Sequence, residues 1–299
     1  MPDVYVVGSL NADHRVRVAS IPKAGETVLG SEITVGPGGK GANQAVAASR
    51  AGAGAYMIGA SGDDADGELV RDSLTRQGVD TQHVHIINGA PTGRATITVD
   101  DKGANTIVVS PGANALLTEE NVSAGLRTMR AGDILLLQLE TPAPLVSHAA
   151  RIAAEARGVV VLNAAPVPSS IDGLFDHIHV LIVNEHELAG LVGVLRNRHD
   201  DNDMALLAHA SGADVVCTAG SDGAYVLQGN RIEHIAAPMV DAVDTTAAGD
   251  TFIGYLAAGL AHDPADLVGA SQTAVQAAAL AVTREGAIDS IPFSTKGHA

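Results

Sequence analysis

Short runs of β-branched and aliphatic residues recur along the chain without polar alternation: residues 4–7, 134–139, 159–162, 180–183 and 215–218. A strand that is apolar on both faces is buried on both faces, as in a parallel sheet covered by helices. Alanine-rich stretches of helical composition separate these runs, the clearest at 144–156. The pattern predicts an α/β fold: a central, mostly parallel sheet with helices on both faces. Two regions break it, 16–35 and 94–109, and the second alternates around an Asp-Asp-Lys-Gly turn. Both read as antiparallel hairpins. Together they would form a small β-sheet lid, inserted at about 14–37 and 93–109 into a single domain spanning 1–299. From about residue 247 the pattern changes to long helices, 248–261 and 264–283.

Composition narrows what such a fold can do. Aromatic residues make up 2% of the chain and Trp is absent, so the core is aliphatic and base stacking on aromatic platforms is disfavoured. Lys and Arg number 18 against 34 Asp and Glu, a formal charge of -16, which repels nucleic acid and anionic lipid. Residues 1–150 carry 11 basic and 16 acidic side chains and residues 151–299 carry 7 and 18. A polyphosphate bound by the second half must therefore be held by backbone dipoles or cations. Cys217 stands alone, within an apolar run, and reads as a buried, inert thiol. No apolar run approaches the roughly 20 residues that a bilayer requires. The first residues carry an acid, Asp3, and no basic leader, so the expectation is a cytoplasmic protein without membrane or nucleic-acid partners. The segment RNRHDDND, 196–203, reads as solvated surface rather than a metal site.

Two glycine-rich segments carry the candidate chemistry. In the first, GPGGKGAN at 36–43, the Gly-Lys pair suggests a phosphate loop, but Lys40 is followed by Gly41 and not by the Ser or Thr that would hold magnesium. What remains is a pliable turn leading into a helix at 42–52. Its amides, with Lys40 and Asn43, could grip a polyhydroxylated or anionic small molecule; a plain strand-to-helix turn explains it equally well. The second, 241–250, runs through Ala247, Ala248, Gly249 and Asp250 into a helix. Small residues there leave backbone N–H groups open as an anion hole. Asp250 is either a helix cap or a general base beside transferring phosphate.

The two segments occur together and in order, and the chain resembles the ribokinase family, the phosphofructokinase-B type carbohydrate kinases, over nearly its full length. One family signature corresponds to GGKGANQAVAASRAG at 38–52, the other to DTTAAGDTF at 244–252. The resemblance implies a ribokinase-like fold and an ATP-dependent kinase acting on the primary 5-hydroxyl of D-ribose. It assigns sugar contacts to Asn11, Ala12, Asp13, Gly39, Lys40, Gly41, Ala42, Asn43 and Glu140, with Asp250 as general base and the Ala247, Ala248 and Gly249 amides as anion hole. Asn184 and Glu187 match the N-x-x-E element that places Mg2+ and nucleotide phosphates. Thr218, Ala219, Gly220, Ser221, Asp222 and Gly223 match T-x-G-x-x-G and, with Gly249, would bind ATP. Asp244, Thr246, Ala281, Arg284, Gly286 and Ser290 correspond to a potassium site. The resemblance also implies a homodimer formed through the lid.

Rival readings stay within reach of the residues. Another neutral sugar is one. A nucleoside is a second, though 16–35 contains no aromatic residue to clamp a base. A sugar phosphate would call for more basic lid residues than Arg15, Arg17, Lys23 and Arg94. A catalytically silent sugar or nucleotide sensor is the reading from another class, and the intact Ala-Ala-Gly-Asp run weighs against it. A dinucleotide oxidoreductase is excluded, because the first strand runs into Gly8-Ser-Leu-Asn and not G-x-G-x-x-G.

Overall fold

The computed structural model describes residues 2–195 and 203–294, so most of the RNRHDDND segment, 196–202, lies outside the described residues. In chain order the elements begin β1 (Val4–Val7), β2 (Asn11–Val18), β3 (Thr34–Gly38), α1 (Lys40–Arg50), β4 (Ala55–Gly62), α2 (Ala65–Arg76), β5 (Asp80–Ile87), β6 (Gly93–Asp100) and β7 (Asn105–Ser110). They continue through α3 (Glu119–Gly125), β8 (Ile134–Leu137), α4 (Ala143–Glu155), β9 (Val159–Asn163), β10 (Val180–Asn184) and α5 (Glu185–Leu195). The remainder is α6 (Asp203–Ser211), β11 (Asp214–Thr218), β12 (Ala224–Gln228), β13 (Arg231–Ile235), α7 (Ala248–His262) and α8 (Leu267–Ala281).

All five apolar runs become strands of one nine-stranded sheet ordered β13-β12-β11-β10-β9-β8-β1-β4-β5. From β11 to β5 every pairing is parallel, and β12 and β13 add an antiparallel edge. Side-chain alternation divides the apolar strands between two cores. Val4, Val6, Ile134 and Leu136 face the layer containing α1, α7 and α8; Tyr5, Val7, Leu135 and Leu137 face the layer containing α3 to α6. Each run is apolar because each strand has a helical layer on both sides. Cys217 is buried in the second core, and burial pushes its thiol up to about 11, in keeping with an inert thiol. Among the described residues no helix is long and apolar enough to cross a membrane.

The lid is a separate four-stranded sheet in the order β3-β2-β6-β7, and its wiring differs from two independent hairpins. β6 and β7 form the expected antiparallel hairpin. β2 instead begins at Asn11, well before Val16, pairs antiparallel with β3 across a long connection, and pairs parallel with β6. The polar residues Asn11 and Asp13 hid this strand from an apolar pattern, yet their place on it carries them to the cleft. β2 thus runs from the cleft into the lid sheet. In an open parallel sheet, ligands bind outside the carboxyl ends of the strands where the strand order reverses. Here the order reverses around β1, which leads directly into β2.

Candidate active site

Five carboxyl ends of parallel strands supply the polar groups of the cleft: Ser9 and Asn11 after β1, Gln138 and Glu140 after β8, Asn163 on β9, Asn184 on β10 and Thr218 on β11. The glycine turn is pressed onto the first of these. Gly39 has φ +96°, and a Cβ there would lie 2.7 Å from the Asn11 nitrogen, so only glycine lets β2 and α1 approach this closely. Ala42 N donates to Ser9 O at 3.0 Å and Gly41 N to Ser9 Oγ at 3.4 Å, while Ser9 Oγ donates to Glu140 Oε2 at 2.5 Å. Glu140 Oε2 also accepts from the Lys40 backbone N–H at 3.3 Å, at the first turn of α1, where the helix dipole favours a carboxylate.

The charged side chains converge. Asp13 is pushed up to about 7, first by burial and then by the neighbouring charges of Glu140 and Asp250, which Arg15 partly offsets. Burial pulls the Lys40 ammonium down, but Asp250, Glu140 and Glu187 around it outweigh this and its pKa lies above the usual lysine value. Burial raises Glu187, opposed by its bond from the Asn184 N–H and by Lys40. Lys40 therefore sits among three carboxylates, Asp250, Glu140 and Glu187. Asn43 donates through Nδ2 to Asp250 Oδ2 at 2.9 Å, and its own Oδ1 is a buried acceptor without a partner. Asn114 Nδ2 donates to Asn11 Oδ1 at 2.9 Å, turning the Asn11 amide nitrogen to another use. Ala12 is fully buried on the opposite face of β2 and lends backbone only.

Asp250 stands in the first turn of α7 and lines a cavity of about 230 Å³ with Lys40, Asn184, Glu187, Ala247, Ala248 and Gly249. Ala247 precedes the helix in the left-handed conformation, φ 58°. Ala248 N donates to Thr245 O at 3.3 Å, so of the three amides assigned to the anion hole it has a partner within the chain. The first i→i−4 bond in this turn is Thr251 N to Ala247 O, which leaves the N–H groups of Gly249 and Asp250 without helical acceptors. The Asp250 amide is not among the three that the sequence suggested.

Thr218, Thr245, Ala248 and Gly249 also line a neighbouring cavity of about 430 Å³, whose walls include Gly220, Ser221, Gly223, Ala237, Val240 and Phe252. Ala219 and Asp222 do not line it. Asp222 instead accepts from the Tyr225 hydroxyl beside the turn. Asn184 and Glu187 form a reciprocal pair at the start of α5: Asn184 Oδ1 accepts from Glu187 N and Glu187 Oε2 from Asn184 N, both at 2.8 Å. The N-x-x-E spacing is a capping box, which fixes the carboxylate where it faces the small cavity.

Asp244 Oδ1 accepts from the backbone and hydroxyl of Thr246, and Oδ2 from Gly286 N at 3.0 Å and Arg15 Nη1 at 3.2 Å. Val243 N to Val282 O, 2.7 Å, draws the 281–290 segment alongside, where Arg284 N caps Ala281 O and Ser290 Oγ donates to Ala287 O. Asp244, Thr246 and Gly286 of the expected cation site are therefore in contact, with Ala281 and Arg284 on either side of the Val282 that Val243 and Asp244 bond. The sequence reading missed the part of Arg15, and it missed Gln44, Gln138, Asn114 and Asn163. Gln44 and Gln138 adjoin recognised motif residues, and the available signal was an amide side chain inside an otherwise apolar stretch.

Residues 1–294 match the family described as pfkB family carbohydrate kinase. The chain is 38% identical over 289 residues to a ribokinase of Haemophilus influenzae, an alignment covering 96% of this chain and 94% of that protein. It superposes on a crystal structure of ribokinase from Thermotoga maritima with a TM-score of 0.86 at 33% identity, covering 98% and 97% of the two chains. Against Arabidopsis thaliana ribokinase complexed with ribose and ATP the TM-score is 0.84 at 32% identity, covering 97% and 96%.

Proposed function

The chain belongs to the pfkB family of carbohydrate kinases, and from that premise we propose that its cleft transfers the γ-phosphoryl group of ATP to the 5-hydroxyl of D-ribose. Relatives named ribokinase, among them one bound to ribose and ATP, support the substrate pair. The observation that carries the reading is the meeting of Asp250, Lys40 and the open amides of α7 in one small cavity joined to a larger apolar one.

In this reading ribose lies against Asn11, Asp13, Gly39, Lys40, Asn43 and Glu140, and the adenosine of ATP fills the larger cavity, where aliphatic walls replace aromatic stacking. Asp250 removes the proton of the 5-hydroxyl. The oxygen attacks the γ-phosphorus, the bond to the β-phosphate oxygen breaks, and ADP leaves with the electron pair. Charge on the transferring group is met by the Gly249 and Asp250 amides and by Lys40. A neutral sugar suits the lid, because Arg15 and Arg94 are paired with Asp244 and Asp66 and Arg17 lies 3.7 Å from Glu285.

Mg2+ would be held with the nucleotide phosphates by Asn184 and Glu187, where it would neutralise phosphate charge. A monovalent cation would share the Asp244 carboxylate with Arg15 and take the Ser290 hydroxyl oxygen and the carbonyls of Thr246, Ala281, Arg284 and Gly286. Potassium there would stiffen the loop that leads to Ala247. A homodimer through the lid is part of the same reading, supported by the exposed apolar side chains Ile107, Val108 and Val109 on β7. Light scattering would then give a dimer that Val108→Lys converts to a monomer. The function is tested by sugar-dependent ADP release over a panel of pentoses, hexoses and nucleosides, with and without potassium. Ribose is expected to be the best substrate, and release equal in its presence and absence would reject the proposal.

A further inference from the structure

Behind Asp250 lies a chain of buried amide side chains that touches neither cavity until its last member. Gln44, on α1, is fully buried and donates through Nε2 to Asp250 Oδ1 at 3.0 Å and to Asn163 Oδ1 at 3.4 Å. Its carbonyl oxygen accepts from Gln138 Nε2 at 2.6 Å. Gln138 is also fully buried, one residue beyond β8. Asn163, at the end of β9, closes the chain on the wall of the small cavity.

The direction of these bonds is forced. An ionised carboxylate only accepts hydrogen bonds, so an amide beside Asp250 is favourable with its nitrogen inward and repulsive with its oxygen inward. Gln138 decides which occurs, because its donor occupies the Gln44 carbonyl. Room for Gln138 is made at Gly8, where a Cβ would lie 1.9 Å from Gln138 Oε1. A fully buried amide costs free energy unless its groups are matched: both ends of the Gln44 amide are matched, to Asp250 and to Gln138, while Gln138 Oε1 is a buried acceptor without a partner.

We propose that Gln44 is a positioning residue for Asp250, held in its donor orientation by Gln138, and that it aims the carboxylate at the sugar hydroxyl without touching sugar or nucleotide. The inference rests on Asp250 acting as the base. Asn43 holds the second carboxylate oxygen, so the two neighbouring residues of α1 grip the base from both oxygens. Asn43 is shared with the sugar site, whereas Gln44 serves Asp250 from behind it.

Gln44→Leu and Gln44→Glu would be compared with Asp250→Asn and the unaltered enzyme by steady-state kinetics and by calorimetric titration with ribose. Gln44→Leu is expected to lower kcat about tenfold or more, while KM and Kd for ribose change by less than about twofold. Gln44→Glu can donate to Asp250 only while it carries a proton, so its kcat relative to the unaltered enzyme is expected to fall as pH rises from about 6 to 9. A merely structural role would not produce that slope. Gln138→Leu, which lets the Gln44 amide turn over, is expected to lower kcat with ribose KM unchanged, and it replaces Gln44→Leu should that variant not fold. A kcat for Gln44→Leu within twofold of the unaltered enzyme, or a Gln44→Glu ratio independent of pH, would overturn the inference. With Asp250→Asn inactive, either result removes Gln44 alone; near-normal turnover in Asp250→Asn removes the base itself.

Discussion

Asp13 and Lys40 show how one crowded site treats acids and bases differently. Desolvation disfavours both charged forms, but the surrounding carboxylates oppose ionisation of Asp13 and favour that of Lys40. Asp13 therefore carries a proton in the folded, ligand-free protein up to about pH 7, whereas in the unfolded chain it releases it near 3.8. The folded state binds the extra proton in that window. Its contribution to stability is complete below about pH 4 and is lost as pH rises through about 7. Asp13→Asn is expected to remove this slope and to raise the melting temperature of the ligand-free protein at pH 8 by a few degrees, while ribose binding weakens. Calorimetric scans from pH 5 to 8 check it; a slope unchanged in the variant would show that Asp13 is not the titrating group.

At the scale of elements, β2 would join, in the proposed function, the sugar site to the loop that leads to the phosphoryl site. Alternate residues of a strand share a face, and on β2 these are Asn11, Asp13, Arg15 and Arg17. Arg15 reaches Asp244 and, at 3.2 Å, the Thr246 hydroxyl. Arg15→Met is expected to raise amide hydrogen exchange in β2 severalfold with the sheet beneath unchanged, as exchange mass spectrometry would report. The glycine turn is the other hinge of this geometry. Gly39→Ala places a Cβ against the Asn11 backbone in a left-handed conformation and is expected to cost about 1–3 kcal/mol in denaturant unfolding, with a raised ribose KM.

The same elements explain what the amino-acid sequence revealed. β1, β8, β9, β10 and β11 were legible because burial on two faces removes polar alternation, and the helix at α7 because Ala247 to Asp250 form a recognisable start. β2 was obscured by its polar residues Asn11, Asp13, His14 and Arg15. β5, on the edge of the sheet, alternates exposed and half-buried positions and gave no apolar run. The residues proposed to contact ligands were legible as motifs, since glycine and charge stand out at fixed spacing. Gln44, Gln138 and Asn163 were not, because a buried amide differs from a surface one only in its partners.

For the whole molecule, the difficulty is to bring ATP into a chain with a formal charge of -16. The proposed arrangement meets it locally: a half-buried lysine, the open amides at the start of α7, and, for adenosine, a larger cavity without acidic side chains in its wall. Long-range repulsion remains, so association of ATP is expected to quicken as ionic strength rises through about 0.15 M, in stopped-flow measurements at fixed free Mg2+. The most direct test of the central claim is phosphorus NMR of ribose and ATP turned over by the unaltered enzyme and by Asp250→Asn at matched ribose saturation. The prediction is ribose 5-phosphate and ADP in equal amounts from the first, and a rate at least about 10²-fold lower from the second with ribose affinity retained. Comparable rates from the two proteins, or phosphate appearing on another hydroxyl, would contradict it.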